Sequence, residues 1–326
     1  MNFKQICYLL MTGILFSISS CTPVDSTTES TDDSSVTQII CTTGMIADVV
    51  SSVVGDQADV VALLGAGVDP HLYKPTRADV VALSRADVVF YNGLHLEGKM
   101  SEVLSGLKAK GKIVVAVAEM ALQKYPERAL VEAGEANIQT DPHLWMSVEA
   151  WMDVVEVIAD ALSAWDPDHV ADYRINASGY WETLRLLDMY ASKSLATIPE
   201  KQRILVTAHD AFGYLGKAYE IEVRGIQGLS TESEAGLRDL EDLVDCIVES
   251  SIPAVFVETS VADKNVRALV EGAASRGCMV EVGGSLFSDA MGASGTYTGT
   301  YIGMIDHNIT TITNALGGHA EGFRKQ

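Results

Sequence analysis

The stretch Asp166–Pro199, DPDHVADYRINASGYWETLRLLDMYASKSLATIP, decides how the chain is organised. Asp166 is a favourable residue just before a helix, Pro167 suits the first helical position, and Pro199 cannot continue a helix. Between these signals, apolar or small residues recur every three or four positions, which places them on one stripe of a single helix. These residues are Val170, Tyr173, Ala177, Tyr180, Leu184, Leu187, Ala191 and Leu195. Such a helix would be roughly 40 Å long at about 1.5 Å per residue.

The segments on either side of this helix share one pattern, in which short apolar runs alternate with helical stretches. The predicted strands are Gln38–Thr42, Ala58–Leu64, Val88–Tyr91, Ile113–Val117, Arg203–Thr207, Glu222–Ile226, Ala254–Val257 and Met279–Val282. The segment after Val117, through Gln139, is predicted to be a polar loop. Alternating β and α elements predict parallel sheets covered by helices. We therefore predict an α/β protein of two lobes, each a mostly parallel sheet flanked by helices, joined by one long rigid helix. The functional site is expected between the lobes.

The N-terminus indicates export. Lys4 provides a positive charge, and Tyr8–Ile18 is an apolar run too short to span a bilayer. The run ends in Ile-Ser-Ser-Cys21, which resembles the lipobox of bacterial lipoproteins and implies cleavage before Cys21 and lipidation of that residue. The alternative is a plain signal peptide with an incidental cysteine. Thr22–Val36 is polar and almost free of large apolar groups, which predicts a disordered tether.

The predicted organisation has five parts. They are a lipoprotein signal peptide (1–20), a tether (21–36), an N-terminal lobe (37–165), the linking helix (166–199) and a C-terminal lobe (200–326). The protein is expected to be monomeric, anchored to the membrane through the lipid on Cys21, and extracytoplasmic, either periplasmic or at the cell surface.

The net charge and the cysteine positions exclude some partners and some kinds of site. The chain has 23 Lys and Arg against 44 Asp and Glu, a formal net charge of −21 at pH 7, which argues against nucleic acid as a partner. Cys41, Cys246 and Cys278 form no CxxC pair, so neither a redox motif nor a thiolate zinc site is indicated. Cys246 and Cys278 either form a disulfide or remain buried thiols.

Two short segments of the first half have similar sequences. They are Asp69-Pro-His-Leu-Tyr73 and Asp141-Pro-His-Leu-Trp145. Each Asp-Pro is a turn signal. In the second half, His209 ends a predicted strand, and Asp289 follows another in a glycine-rich loop. Ligands of open α/β sheets bind outside the carboxyl ends of the strands, so these side chains are expected in one cleft between the lobes.

The candidate ligands are His71, His143, His209 and Asp289. Three imidazoles and one carboxylate suit a divalent transition metal, because imidazole favours zinc and the carboxylate also admits manganese. Asp69 and Asp141 either orient the neighbouring imidazoles or cap their own turns.

Several motifs resemble one protein family in order. They are DPHLYKPT, NGLHLEGKM, TDPHLW, TAHDAFGYL, GLSTESEAGL, VFVETS and LFSDAMG. They resemble the metal-binding lipoproteins of bacterial ABC importers, the zinc/manganese solute-binding family sometimes called cluster A-I. The resemblance covers the chain from about Ile39. It implies two α/β lobes bridged by a rigid helix, and Mn²⁺ or Zn²⁺ held at the interface as cargo for an ABC permease.

By position, the resemblance assigns the metal ligands to His71, His143, His209 and Asp289, and favours Asp289 over the rival carboxylate Glu258. Some manganese-binding members have glutamate where this chain has His209. Many zinc-binding members carry a histidine-rich loop, whereas Gln123–Gln139 contains no histidine.

The other histidines, His95, His169, His307 and His319, are expected at the surface or in packing. Glu232 and Glu234 are expected to begin a helix.

Two other functions compete with metal delivery. A zinc hydrolase would keep one coordination position open, and the sequence contains neither HExxH nor GxSxG. A metal-binding surface adhesin fits the predicted anchor but leaves the histidine–aspartate set unexplained. Four protein ligands would close the site, so we expect a carrier rather than an enzyme.

Overall fold

The computed structural model describes residues 37–133 and 138–325. The predicted signal peptide, Cys21 and the tether lie outside these residues, so those expectations remain predictions, as do the exact lobe boundaries. Within the described ranges, no helix combines the length and apolar character needed to cross a membrane.

Four short strands form a parallel sheet in the first half: β1 (Gln38–Cys41), β2 (Asp59–Ala62), β3 (Val88–Tyr91) and β4 (Ile113–Ala116). Their order is β2-β1-β3-β4, so β1 and β3 are central. These central strands carry consecutive buried apolar residues, as expected for a parallel sheet covered on both faces. The connecting helices are α1 (Gly44–Val54), α2 (Arg77–Arg85) and α3 (Ser101–Ala109). The predicted pattern is confirmed here, with small shifts at element ends.

The segment predicted as a polar loop contains regular structure instead. Helix α4 (Val117–Lys124) follows β4 directly, and β5 (Val131–Ala133) pairs antiparallel with β6 (Ile138–Thr140). The prediction is wrong for α4 because the residue before the helix is Ala116, which provides no capping signal. The hairpin borders a non-local contact, in which the Leu130 N–H donates to the Tyr214 hydroxyl at 3.3 Å.

The long linking helix is α6 (Val170–Leu195), which follows α5 (Val148–Trp165). It begins later than predicted, because Pro167–His169 form a separate 3-10 turn and His169 occupies the position before the helix. The apolar stripe is confirmed, since Tyr173, Leu184 and Leu187 are buried along one face. α6 packs against α1 and α5, and against a helix of the second half, α10 (Tyr301–Ala315). It therefore contacts both halves of the chain.

The second half also has parallel strands: β7 (Ile204–His209), β8 (Glu222–Gln227), β9 (Ala254–Glu258) and β10 (Glu281–Leu286). β7 pairs with β8, β9 pairs with β10, and β7 lies beside β9. The remaining helices are α7 (Gly213–Tyr219), α8 (Leu237–Ser250) and α9 (Lys264–Ser275). β10 ends closer to Asp289 than predicted, so that residue is held three positions beyond a strand.

The loop between β8 and α8 corrects one expectation. Glu232 and Glu234 do not begin a helix, because α8 starts only at Leu237. The Asp239 carboxylate accepts the Gly236 N–H at 3.1 Å, which fixes the helix start beyond both glutamates. Glu232 instead forms an ion pair with Lys99 of the first half, at 2.5 Å.

Candidate metal centre

His71 is placed by the turn that its own motif forms between β2 and α2. The His71 backbone N–H donates to Asp69 Oδ1 at 2.8 Å, so Asp69 caps the turn. The other carboxylate oxygen of Asp69 accepts from the Thr231 hydroxyl at 2.5 Å. Asp69 therefore connects the loop that carries His71 to the second half of the chain.

His143 follows β6 in the second Asp-Pro-His motif. Asp141 Oδ1 accepts the His143 backbone N–H at 2.8 Å and lies 2.8 Å from ring atom Nδ1. Asp141 thus performs both roles considered for it, since it caps the turn and orients the imidazole. With Nδ1 held in this way, Nε2 is the nitrogen left to bind a ligand.

His209 is the last residue of β7, as predicted from the strand's position. Its Nδ1 lies 2.5 Å from Glu258 Oε2, and its backbone N–H donates to Glu258 Oε1 at 2.9 Å. Glu258 ends the neighbouring strand β9. It lies behind His209, so the carboxylate that rivals Asp289 in sequence supports a histidine instead.

Asp289 follows β10 in a segment anchored through its backbone. Asn308 of α10 accepts the Phe287 N–H at 2.9 Å and donates to the Phe287 carbonyl at 2.7 Å. The Ser288 carbonyl accepts from the Trp145 indole N–H at 2.8 Å. These bonds fix the main chain immediately before Asp289.

The four predicted ligands meet in one buried group. One ligand atom from each of His71, His143, His209 and Asp289 lies within 4.8 Å of all the others. His71 Nε2 is 3.3 Å from His143 Nε2. Asp289 Oδ1 is 3.5 Å from His143 Nε2, and Oδ2 is 3.3 Å from His209 Nε2. The exposed fraction is 4% for His71 and 2% or less for the other three residues.

Three atoms of this group are buried without a hydrogen bond among the described residues: His209 Nε2 and both carboxylate oxygens of Asp289. Buried polar atoms are almost always satisfied, so unsatisfied ones need an explanation. These atoms face a shared centre, where His209 Nε2 and Asp289 Oδ2 approach to 3.3 Å without the geometry of a hydrogen bond. A metal ion at that centre would satisfy all three, and the donor set of three nitrogens and one carboxylate fits such an ion.

The electrostatics of the group are set by competition between burial and charge. Burial lowers the pKa of His71 to about 4. Burial also opposes a charge on His209, but Glu258 and Asp289 outweigh it and hold the pKa of His209 well above its usual value. For Asp289, burial alone would raise the pKa, yet the neighbouring imidazoles, His209 first, lower it below the usual range. The carboxylate is therefore ionised and ready to bind a cation.

The remaining histidines lie outside the group, as predicted. His95 and His319 are exposed. His169 Nδ1 is 2.7 Å from Asp166 Oδ2, and His307 Nε2 is 2.9 Å from the Ser285 carbonyl. Cys246 and Cys278 are free thiols, so the disulfide alternative is not realised.

The sequence did not reveal three supporting residues in their roles: Glu258 behind His209, Trp145 beside His143, and Thr231 on Asp69. For Glu258 a signal exists, because it ends a strand in the same way as His209. Thr231 lies in a loop, so no pattern in the sequence predicts its contact with Asp69.

The fold and the site together are those of the metal-binding solute-binding proteins. The shared features are two α/β halves, a long helix that packs against both, and a buried group of three histidines and one aspartate. Residues 39–315 match the family ZnuA, described as zinc-uptake complex component A, periplasmic. The chain belongs to this family.

Relatives and solved structures agree with this placement. The chain is 47% identical over 309 residues to the manganese-binding lipoprotein MntA of Bacillus subtilis, covering 94% of this chain and 98% of that protein. It is 43% identical over 278 residues to the zinc-binding protein TroA of Treponema pallidum, covering 85% and 88%. The structure of periplasmic TroA from that organism has a TM-score of 0.82 and covers 86% of this chain and 99% of that chain. The two-lobed α/β fold is thereby confirmed.

Proposed function

We propose that this protein captures a divalent transition metal, Mn²⁺ or Zn²⁺, and delivers it to an ABC permease. The proposed ligands are His71, His143, His209 and Asp289. The observation that carries the proposal is the convergence of these four buried side chains on one centre, where three atoms have no hydrogen bond within the described part of the chain. Two ligands come from each half of the chain, so metal binding joins the two halves.

The site suits a carrier better than a catalyst. A catalytic zinc site keeps one position for water, whereas four protein ligands complete a tetrahedral set. The relatives named above are a manganese-binding lipoprotein and a zinc-binding protein. We therefore propose transport without enzymatic activity.

Lipid anchoring through Cys21, an extracytoplasmic location and a monomeric state complete the proposal. The sequence before residue 37 supports the anchor, because it combines a short apolar run with small residues directly before Cys21. The relative from Bacillus subtilis is named a lipoprotein, and the family is described as periplasmic.

The proposal is tested by calorimetric titration of Zn²⁺ and Mn²⁺ into metal-free protein. Asp289→Asn removes the ligand charge with little change of shape, and His71→Ala removes the most exposed imidazole of the group. Each variant should lose more affinity than the roughly 10–100-fold typical of losing a supporting hydrogen bond. His319→Ala is the matched control, because its side chain is 78% exposed and lies outside the site. Wild-type affinity in Asp289→Asn would remove that residue from the site.

A further inference from the structure

We propose that Trp145 is a positioning residue. It fixes the position of the ligand His143 in one half relative to the ligand Asp289 in the other half, and so slows metal release. The inference rests on the proposed function. Trp145 does not belong to the ligand group. Instead, it touches the ligand of one half directly and the main chain that carries the ligand of the other half.

The first contact is with His143. Trp145 follows it by two residues in a 3-10 turn, and the two rings pack edge to face with centroids 5.2 Å apart. Trp145 is 1% exposed. Asp141 fixes one nitrogen of the imidazole, and the indole limits how far the ring can tilt. The ring of His143 is therefore held both by a hydrogen bond and by packing.

The second contact is with the segment before Asp289. The Trp145 indole N–H donates to the Ser288 carbonyl at 2.8 Å, across 143 residues of sequence. Neither Asp289 carboxylate oxygen has a hydrogen bond among the described residues, and its partners are the imidazoles of the metal group itself, with His209 Nε2 3.3 Å from Oδ2. No hydrogen bond from a described residue outside the group orients the carboxylate, so the backbone contributes to its position, and Trp145 provides the bond to the adjoining residue. Asn308 holds Phe287 on the other side, but it belongs to the same half as Asp289.

The third contact anchors Trp145 itself. Its backbone carbonyl accepts from the Tyr301 hydroxyl at 2.8 Å. The Tyr301 backbone N–H donates to Asp48 at 3.2 Å, and the same carboxylate oxygen accepts from Tyr180 of the linking helix at 2.7 Å. Trp145 is thus attached to a partly buried hydrogen-bond network that includes α1, α6 and α10. This network restricts the movement of Trp145, and through it the movement of His143 and Asp289.

Loss of the indole N–H would leave the Ser288 carbonyl buried and unpaired, and Asp289 would move relative to His143. The metal would keep its ligands but in a distorted arrangement, so release would be faster. We expect metal dissociation to accelerate by about tenfold, the effect of losing one typical buried hydrogen bond at this position.

The test compares Trp145→Phe with Trp151→Phe, using Co²⁺ as the probe. Trp151 is a matched control: it is fully buried, its ring lies 6.5 Å from that of Trp145, and its N–H has no hydrogen-bond partner in the described part of the chain. Each substitution replaces an indole with a phenyl ring, but only Trp145→Phe removes a hydrogen bond to the residue before Asp289. The Co²⁺ absorption spectrum reports ligand geometry, and mixing with excess chelator gives the dissociation rate.

We expect Trp145→Phe to alter the Co²⁺ spectrum and to release metal about tenfold faster, whereas Trp151→Phe retains the wild-type spectrum and rate. Equal spectra and rates in the two variants would overturn the positioning role while leaving metal binding by the wild type intact. Failure of the wild type to bind Co²⁺, Zn²⁺ or Mn²⁺ would instead contradict the proposed function.

A second variant covers the case in which Trp145→Phe does not fold. Replacing Trp145 with a benzothienyl-alanine puts sulfur in place of the indole N–H and keeps the ring shape. It should give the same faster release and altered spectrum. A wild-type rate with this isostere would show that the hydrogen bond to Ser288 does not hold Asp289.

Discussion

Nδ1 of His209 lies 2.5 Å from Oε2 of Glu258, at the ends of two adjacent strands, and both side chains are fully buried. The same carboxylate accepts the His209 backbone N–H, so Glu258 fixes both the main chain and the ring. The remaining ring nitrogen, Nε2, faces Asp289. A carboxylate behind a metal-binding imidazole also raises the basicity of the ligand.

Glu258→Gln should therefore weaken metal binding by roughly 10–100-fold, because the amide keeps a hydrogen-bond acceptor but loses the charge. Competition with a chromophoric chelator for Zn²⁺ measures the change. Glu222→Gln is the control, since Glu222 is exposed and pairs with Arg224 at the surface. Unchanged affinity in Glu258→Gln would show that the carboxylate contributes only to folding.

Metal affinity should fall as pH falls. Although burial opposes it, the pKa of His209 lies well above its usual value because Glu258 and Asp289 are near, whereas burial lowers that of His71 to about 4. The raised pKa of His209 favours a proton on that ring in the metal-free protein, whereas the lowered pKa of His71 favours the neutral ring. An imidazole must be deprotonated to bind metal, so binding should release about one proton and affinity should drop about tenfold per pH unit between roughly pH 7.5 and 5.5.

Calorimetry in buffers of different ionisation enthalpy measures the released proton directly. Binding that neither releases a proton nor depends on pH would mean that His209 is neutral before the metal arrives, or that it is not a ligand.

The grouping of the four proposed ligands could be predicted because each residue has a local signal in the sequence. His71 and His143 lie in Asp-Pro turns, His209 ends an apolar strand, and Asp289 follows another. The carboxyl ends of parallel strands gather at one edge, so the strand pattern alone brings such residues together. The long helix could be predicted for a similar reason, since its apolar stripe spans many turns.

The supporting contacts could not be predicted, because they join residues that are remote in sequence. Asp69 meets Thr231, and Trp145 meets Ser288, only after both halves have packed. Helix α4 has a local signal that the loop prediction overlooked, because its residues, VAEMALQK, are mostly strong helix formers. Strands β5 and β6 have three residues each, too few for an alternating pattern to identify them. Periodicity reports which face is buried but not what covers it.

Thr231→Val should accelerate metal release. The substitution removes the hydroxyl that donates to Asp69, and with it a bond between the turn of His71 and the second half. If this hydrogen bond persists until the metal leaves, its loss should raise the metal dissociation rate by about tenfold or more, because a bond to a charged carboxylate is a strong one. Mixing metal-loaded protein with excess chelator measures the rate.

Thr183→Val is the matched control, because the Thr183 hydroxyl donates to the Gly179 carbonyl of its own helix. A wild-type release rate in Thr231→Val would show that this contact has already broken when metal leaves.

Removal of metal should lower the melting temperature clearly. A ligand that binds only the native state stabilises it by about 4 kcal/mol at roughly 1,000 times its dissociation constant. Thermal unfolding of metal-loaded protein with and without chelator provides the comparison. Chelator should leave the melting temperature of Asp289→Asn unchanged, and an equal shift in that variant would mean that the stabilising ion is bound elsewhere.

The last prediction concerns which metal the protein carries. The imidazole of the proposed ligand His209 favours zinc, whereas the absence of histidine from residues 123–139 removes a feature of many zinc-binding members. The relatives are divided in the same way, since one is named manganese-binding and another zinc-binding. Zinc outcompetes manganese at most nitrogen and oxygen sites, so affinity measured in solution does not identify the cargo. We predict that the protein binds both metals, zinc more tightly, and that manganese is a physiological cargo. Uptake of each metal in a strain lacking the protein decides the matter, because unchanged manganese uptake together with lost zinc uptake would overturn the manganese assignment.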